Sequence, residues 1–382
     1  MATRRLLVDI HTHVYLPRYA DVLRARTTIP RIYTSIQPSP QERLLILENE
    51  PSGGRPVGAQ YWDRAEKLRF MDKHGIDVSV VSSANPWLDF LPASDASALA
   101  LELNADLEQY CASSPLVDAR VASGNALKRL YGFGLLPLVA EASTSSLIAA
   151  VEQVAALPHL KGVIMGTRGV GKGLDDDALD PVWAAIEEKG LVVFLHPHYG
   201  VDGKAFGEKD NGHVLPLALG FPFETTTAAT RLILSGVLDR FPKLRLLLAH
   251  SGGALPQLSS RLASCIEHDP VVASRLKHDA RFYLGKLYYD AVAYGSEELA
   301  FVSSVINRAA KYGSTEHALK ENLGSQRMFF GTDHPFFPPL KETEKWRSVV
   351  ENLDAIDGVK GWSQEEKDGV RGGNALAVLN LL

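Results

Sequence analysis

Leu7-Val8-Asp9-Ile10-His11-Thr12-His13 lies near the start of the chain, an apolar run that closes on two histidines one residue apart. In an extended strand residues i and i+2 point to the same face, so His11 and His13 offer two imidazoles to one point at the strand's carboxyl end. A histidine pair says little alone. Three later apolar runs end in the same way: Phe194-Leu195-His196-Pro197-His198, Leu248-Ala249-His250-Ser251-Gly252-Gly253 and Phe330-Gly331-Thr332-Asp333-His334-Pro335. Each puts a histidine or an aspartate where a buried strand gives way to a loop. Strand ends so distant in the chain come together only if the strands close into a ring.

The rest of the chain has the matching rhythm. Apolar runs beginning near Leu6, Val78, Leu130, Leu160, Leu191, Leu244, Leu287 and Met328 alternate with amphipathic stretches such as Asp63 to His74, Ala96 to Ala112, Ser143 to Ala156 and Thr225 to Leu238. About eight strand-helix units predict an α/β fold, a TIM (β/α)8 barrel with long loop insertions at its carboxyl-terminal face. A doubly wound open sheet is the competing arrangement, and it would keep the ends of the first, fifth, sixth and last strands apart. No interior linker or internal repeat divides the chain, so residues 1–382 read as a single barrel domain. Two excursions leave the expected mouth. Tyr15 to Trp62 carries Pro17, Pro30, Pro38, Pro40, Pro51 and Pro56, and Tyr199 to Glu224 follows the fifth strand. Loops of that length at a rigid mouth act as lids or touch substrate. Trp362 to Leu382 reads as a terminal helix packed outside the barrel.

Composition narrows the class of partner. With 46% hydrophobic and 22% charged residues the chain can bury a large core. A net charge of -5 gives no reason to expect nucleic acid or an acidic membrane as partner. No apolar run reaches the ~18 residues that span a bilayer, and the apolar stretch after Met1 is too short for a signal peptide, so a cytoplasmic location is expected. The two cysteines, Cys111 and Cys265, fit no zinc-finger or redox spacing and are expected to be buried thiols.

Imidazole suits zinc and other late first-row metals, and a carboxylate can complete the set. His11, His13, His196 and Asp333 are therefore the expected ligands of one divalent ion, with a position left for water or substrate. Any one of these histidines could be an ordinary core residue; their joint placement points to a metal. His250 is expected off the metal, as an acid-base or substrate-polarising group that titrates near neutrality. His198 shares a face with His196 and is a reserve ligand, whereas His334 should point away from Asp333. The fourth strand, Gly162 to Thr167, has no lysine or glutamate at its end to bridge two ions, and Lys161 stands at its start. One metal is expected, which weakens a two-metal hydrolysis route. Gly166 to Lys172 has phosphate-loop spacing, but Gly173 replaces the residue that would hold magnesium, and Asp175, Asp176 and Asp177 would repel a triphosphate. That stretch reads as a loop at the mouth.

Taken in order, these motifs resemble the amidohydrolase superfamily over nearly the whole chain, specifically its decarboxylase branch, which includes the aminocarboxymuconate semialdehyde and resorcylate decarboxylases. Ala84-Asn85-Pro86-Trp87, His196 through Gly200, Gly212 through Pro222 and Phe336-Phe337-Pro338-Pro339 resemble the uracil-5-carboxylate (isoorotate) decarboxylases within that branch. The resemblance implies zinc, with manganese as the other candidate, and a homodimer. It also implies that Arg55, Asn85, Arg261 and Phe336 contact a small pyrimidine or aromatic carboxylate. In uracil-5-carboxylate C5 is the nucleophilic end of an enamine, so the ring itself is the electron sink and no organic cofactor is needed. Asp333 is then the expected proton donor to C5, with His250 polarising or relaying. Three other readings stay open: decarboxylation of a hydroxybenzoate, hydrolysis of a lactone or amide by metal-bound hydroxide, and a non-catalytic metal-binding scaffold.

Overall fold

Every residue of the first strand, Val8–Val14, is buried, as expected where a strand is covered by packed side chains on one face and helices on the other. A computed structural model of the chain describes residues 5–36, 40–48, 50, 53–118, 126–199, 203–209, 211–313, 323–339, 341 and 343–381. Pro38, Pro51 and Gly200 lie outside the described residues. The strands are β1 (Val8–Val14), β2 (Arg31–Ser35), β3 (Gln41–Leu45), β4 (Arg55–Pro56), β5 (Val78–Ser83), β6 (Leu130–Leu135), β7 (Leu160–Gly166), β8 (Val192–His196), β9 (Arg245–Leu248), β10 (Tyr288–Asp290) and β11 (Met328–Phe329). Eight of them form one sheet in the order β1-β5-β6-β7-β8-β9-β10-β11, with parallel pairing throughout. Ile10 N donates to Phe330 O at 3.0 Å and Thr332 N to His11 O at 3.1 Å, which brings the last strand back to the first. The result is the expected TIM-type barrel, and all eight expected runs supply its strands.

The helices are α1 (Pro17–Arg24), α2 (Ala59–Trp62), α3 (Arg64–His74), α4 (Ala93–Ala112), α5 (Thr144–Ala156), α6 (Asp180–Lys189), α7 (Phe221–Leu234), α8 (Val237–Arg240), α9 (Leu255–Glu267), α10 (Pro270–Ala273), α11 (Ala280–Leu284), α12 (Ser296–Arg308), α13 (Arg347–Gly358), α14 (Gln364–Asp368) and α15 (Asn374–Val378). Local chemistry sets several of their limits. Asp63 caps α3 by accepting from Ala65 N, and Gly75 ends it in the left-handed conformation at φ 70°. Ser143 caps α5 in the same way. Leu147, Val151, Trp183, Ile186, Leu232 and Ile233 then pack outside the barrel strands in one continuous apolar layer.

Three expectations are corrected. The Tyr15 to Trp62 excursion is not a plain loop: it contains α1, α2 and a small antiparallel sheet in the order β2-β3-β4. Its strands are short and only Ile32 and Leu44 of the paired residues are fully buried, so the apolar alternation is too sparse to outweigh six prolines. Pro56 fits because β4 pairs on one side only, against β3. Cys265 is exposed, while Cys111 is buried as expected. The buried positions of α9 are Leu255, Pro256, Ser259 and Ala263, and Cys265 falls off that face. The second excursion runs through a π turn, Pro216–Gly220, straight into α7, so that helix starts at Phe221 rather than Thr225. The C-terminal segment is helical in three pieces and lies along the seam between β11 and β1, where Phe330 N donates to Val370 O at 2.8 Å. No helix among the described residues is long and apolar enough to cross a membrane.

Candidate metal centre

β1 delivers His11 and His13, β8 ends on His196, and the turn after β11 delivers Asp333. All four are buried. The rings of His11 and His13 lie 5.0 Å apart, those of His13 and His196 4.9 Å, and those of His11 and His196 5.2 Å. Asp333 Oδ1 is 3.4 Å from His11 Nε2 and 3.5 Å from His13 Nε2. The other nitrogen of each ring is occupied. His11 Nδ1 meets Asp290 Oδ2 at 2.6 Å, His13 Nδ1 meets Ser82 Oγ at 3.1 Å, and His196 Nδ1 donates to Pro197 O at 2.8 Å. The three Nε2 atoms are buried with no hydrogen-bond partner. A buried polar atom left unpaired costs about 1–3 kcal/mol, and three aimed at one carboxylate form a donor set that a divalent cation satisfies. Rings oriented through Nδ1 with Nε2 turned inward are the usual arrangement of metal-bound histidine.

His250 stands closer to this group than expected. Ligand atoms of His11, His196, His250 and Asp333 all lie within 4.8 Å of one another. His250 Nε2 is 3.9 Å from Asp333 Oδ2, the oxygen turned away from His11 and His13, and its Nδ1 is buried without a partner. Without an ion, the charges settle among the side chains. Burial would raise the Asp333 carboxyl, but the imidazoles of His11, His13 and His250 beside it outweigh that and hold it well below the usual carboxylate range. Burial would likewise lower His11, yet Asp290 and Asp333 raise it to about 10. Burial dominates at His13, lowered to about 4, and at His196.

Asp290 is one residue that sequence reasoning missed. Its signal was present: Leu287-Tyr288-Tyr289-Asp290 is another apolar run closing on an acid. Besides His11, it accepts from His250 N at 2.9 Å, Ser251 N at 2.8 Å and Val292 N at 3.1 Å. These bonds anchor a turn in which His250, Ser251, Gly252 and Gly253 all have positive φ. Such a conformation costs a non-glycine residue about 1–3 kcal/mol, so it persists only where neighbours hold it. Glycine is required next, because a Cβ on Gly253 would come within 2.2 Å of Pro222 O.

Beside the imidazoles lies a second group of expected residues. Arg55 reaches from β4 to Asn85, with Nη2 3.2 Å from its backbone O and 3.3 Å from Oδ1. The guanidinium also lies over the Phe336 ring at 4.7 Å, and that ring meets His13 at 5.6 Å. Arg55, Asn85 and Phe336 are thus brought together against the metal cluster. Tyr15 and Tyr61, not foreseen, complete the wall. Tyr15 hydrogen-bonds both Arg55 and Asn85 O, and Tyr61 stacks on it at 5.1 Å. Arg55 Nε remains buried and unpaired. Arg261 does not join this group, standing exposed on α9. His198, the reserve ligand, pairs with Asp89, and its backbone O accepts from Asn85 Nδ2. His334 turns away from the cluster and stacks on Phe70 at 3.7 Å. Gly166 ends β7, and Thr167 to Gly173 form a loop at the mouth, tied down by Arg231 Nη2 to Lys172 O at 2.6 Å.

Comparison with known proteins follows the same lines. A family model described as Amidohydrolase matches residues 8–381. The 2-amino-3-carboxymuconate-6-semialdehyde decarboxylase of Dictyostelium discoideum is 26% identical over 380 residues, 99% of this chain and 92% of that protein. The crystal structure of the Metarhizium anisopliae isoorotate decarboxylase (IDCase) in apo form is 39% identical, with a TM-score of 0.85 over 100% of this chain and 99% of that one. A dihydroxybenzoic acid decarboxylase from Polaromonas sp. JS666, solved with bound manganese and 2-nitroresorcinol, shares the fold at 18% identity, with a TM-score of 0.69 over 99% of this chain and 98% of that one.

Proposed function

The chain belongs to the amidohydrolase family and is a metal-dependent decarboxylase, and we propose that it converts uracil-5-carboxylate to uracil and CO2. The observation that carries this reading is the convergence of Arg55, Asn85 and Phe336 on the face of the imidazole cluster. An arginine fork binds a carboxylate or a carbonyl oxygen, an amide pairs with both donor and acceptor of an imide edge, and a phenyl ring covers a flat heterocycle. Asn85 has one amide hydrogen given to His198 O and its Oδ1 near Arg55, which leaves one N–H and one lone pair for a ligand. A hydroxybenzoate offers no imide edge and would leave that amide short of partners. The likeness to isoorotate decarboxylase points the same way.

Held by His11, His13, His196 and Asp333, zinc (or manganese, the ion in the Polaromonas relative) would supply Lewis acidity toward the substrate's 5-carboxylate and adjacent C4 oxygen. The chain's own groups handle the proton. Asp333 is ionised in the free site; a substrate carboxylate brought beside it disfavours a second negative charge and raises its proton affinity. His250, 3.9 Å away, passes that proton on from solvent. Asp333 then protonates C5, the bond from C5 to the carboxylate breaks, its electron pair restores the C5–C6 double bond, and CO2 leaves. Burial of the cluster under Phe336 and Tyr61 keeps bulk water from the intermediate. Arg261, exposed on α9, is a substrate contact by the family resemblance alone, and Arg261→Ala should raise the Michaelis constant or reduce turnover. The resemblance also implies a homodimer, for which light scattering at micromolar concentration should give twice the chain mass.

The test is a panel of pyrimidine and hydroxybenzoate carboxylates incubated with pure zinc-loaded protein. Uracil-5-carboxylate should yield uracil and CO2 in equal amounts. If it were left intact while 2-hydroxybenzoates lost CO2, the substrate assignment would be wrong and the decarboxylase assignment would stand. A ring-opened acid as product would replace both with hydrolysis.

A further inference from the structure

We propose that Asp290 is a positioning residue that sets the metal ligand His11 and the acid-base histidine His250 with one carboxylate. The inference rests on His11 being a ligand, as the reading above has it, but not on the identity of the substrate. Asp290 closes β10, is fully buried, and is met by four nitrogens. Oδ2 faces His11 Nδ1 at 2.6 Å and His250 N at 2.9 Å; Oδ1 faces Ser251 N at 2.8 Å and Val292 N at 3.1 Å. Three of the four are backbone N–H groups and can only donate. The fourth, the imidazole, therefore meets an oxygen that has nothing to give it, and it must carry its proton on Nδ1. That tautomer leaves the lone pair on Nε2, the atom that is buried, unpaired and turned toward Asp333.

The same oxygen holds His250 in place. His250 and Ser251 have φ of 54° and 53°, and successive N–H groups in such a turn form a concave donor nest for an anion. Ser251 Oγ adds a bond to Asp290 O at 2.8 Å. The His250 ring is aimed from this turn, with its centroid 5.1 Å from that of His11. Ligand and proton relay are thus indexed to a common atom, so the distance between them does not depend on loop flexibility.

Asparagine at 290 has the shape of aspartate but only one oxygen. With its amide nitrogen toward His11 it would force the imidazole to accept at Nδ1 and place the proton on Nε2, where it blocks the ion. With the amide turned over, Ser251 and Val292 face a donor and the nest opens. The first orientation loses the His250 N contact and the useful His11 tautomer; the second loses two of the four contacts. Asp290→Asn should therefore bind zinc about 10–100-fold more weakly than the parent, measured by competition with a chromophoric chelator. Long-range 1H–15N spectra of the parent, zinc-loaded and histidine-labelled, should show His11 with a protonated Nδ1 and a metal-bound Nε2, a readout that does not require any variant to fold. A zinc affinity in Asp290→Asn equal to the parent's, or a parent spectrum with unprotonated Nδ1 at His11, would overturn the proposal. Neither measurement uses substrate, so failure here is separate from failure of the uracil-5-carboxylate assignment.

Discussion

Two buried polar clusters share the same few residues of backbone, and they are built to opposite rules. On the barrel's inner side His11, His13, His196 and Asp333 turn three unpaired Nε2 atoms toward one another. On the outer side Thr12 and His334, each the immediate chain neighbour of a proposed ligand, meet Lys67 from α3, itself fully buried. There the atoms are paired: Lys67 Nζ donates to Thr12 Oγ1 and lies 2.8 Å from His334 Nδ1, and Thr12 Oγ1 donates to His334 O at 3.2 Å. His334 is sandwiched between Phe70 at 3.7 Å and Trp346 at 4.6 Å. Both clusters are buried and both contain histidine. What separates a site from a structural knot is whether the donors and acceptors already answer one another.

That distinction can be broken by substitution. The largest effects belong to the inner cluster. Asp333→Asn removes the carboxyl that can hold a proton and should abolish CO2 release even in samples that retain metal. His250→Asn should slow turnover by about 10²–10⁴-fold while metal content stays at the parent level. Parent-like turnover in metal-replete Asp333→Asn would move the proton to another donor. At the other end of the scale, Lys67→Met keeps the apolar stem and deletes the donor. It should cost about 1–3 kcal/mol in denaturant unfolding, because Thr12 and His334 lose a buried partner, yet leave metal stoichiometry unchanged and turnover within a few fold. Loss of metal in Lys67→Met with an intact fold would mean that the outer knot is part of the site.

Much of the inner cluster was legible because barrel chemistry sits at strand ends, and a strand end is visible as an apolar run that stops on a polar residue. His11, His13, His196, His250 and Asp333 were found that way. Asp290 ends its run by the same rule and was passed over, since β10 is only three residues long and its two tyrosines dilute the apolar signal. Arg55, Asn85 and Phe336 came from the family resemblance, and the small β2-β3-β4 sheet explains how Arg55 arrives at the mouth: β3 pairing places it opposite Leu44. No spacing rule could have found Tyr15 and Tyr61, which meet only after the excursion folds back. Tyr15 N donates to Tyr61 O at 2.9 Å across 46 positions of chain, the difference between the two residue numbers. The pairing of Lys67 with His334 was equally invisible, because a lysine in an amphipathic helix reads as solvated until its helix is docked.

Metal analysis of the purified protein tests the central claim, that the unpaired imidazole nitrogens exist to hold one cation. One equivalent of divalent ion per chain is expected, with loss of that ion in His11→Ala. Two ions per chain, or full retention of metal when His11→Ala and His13→Ala are combined, would contradict it.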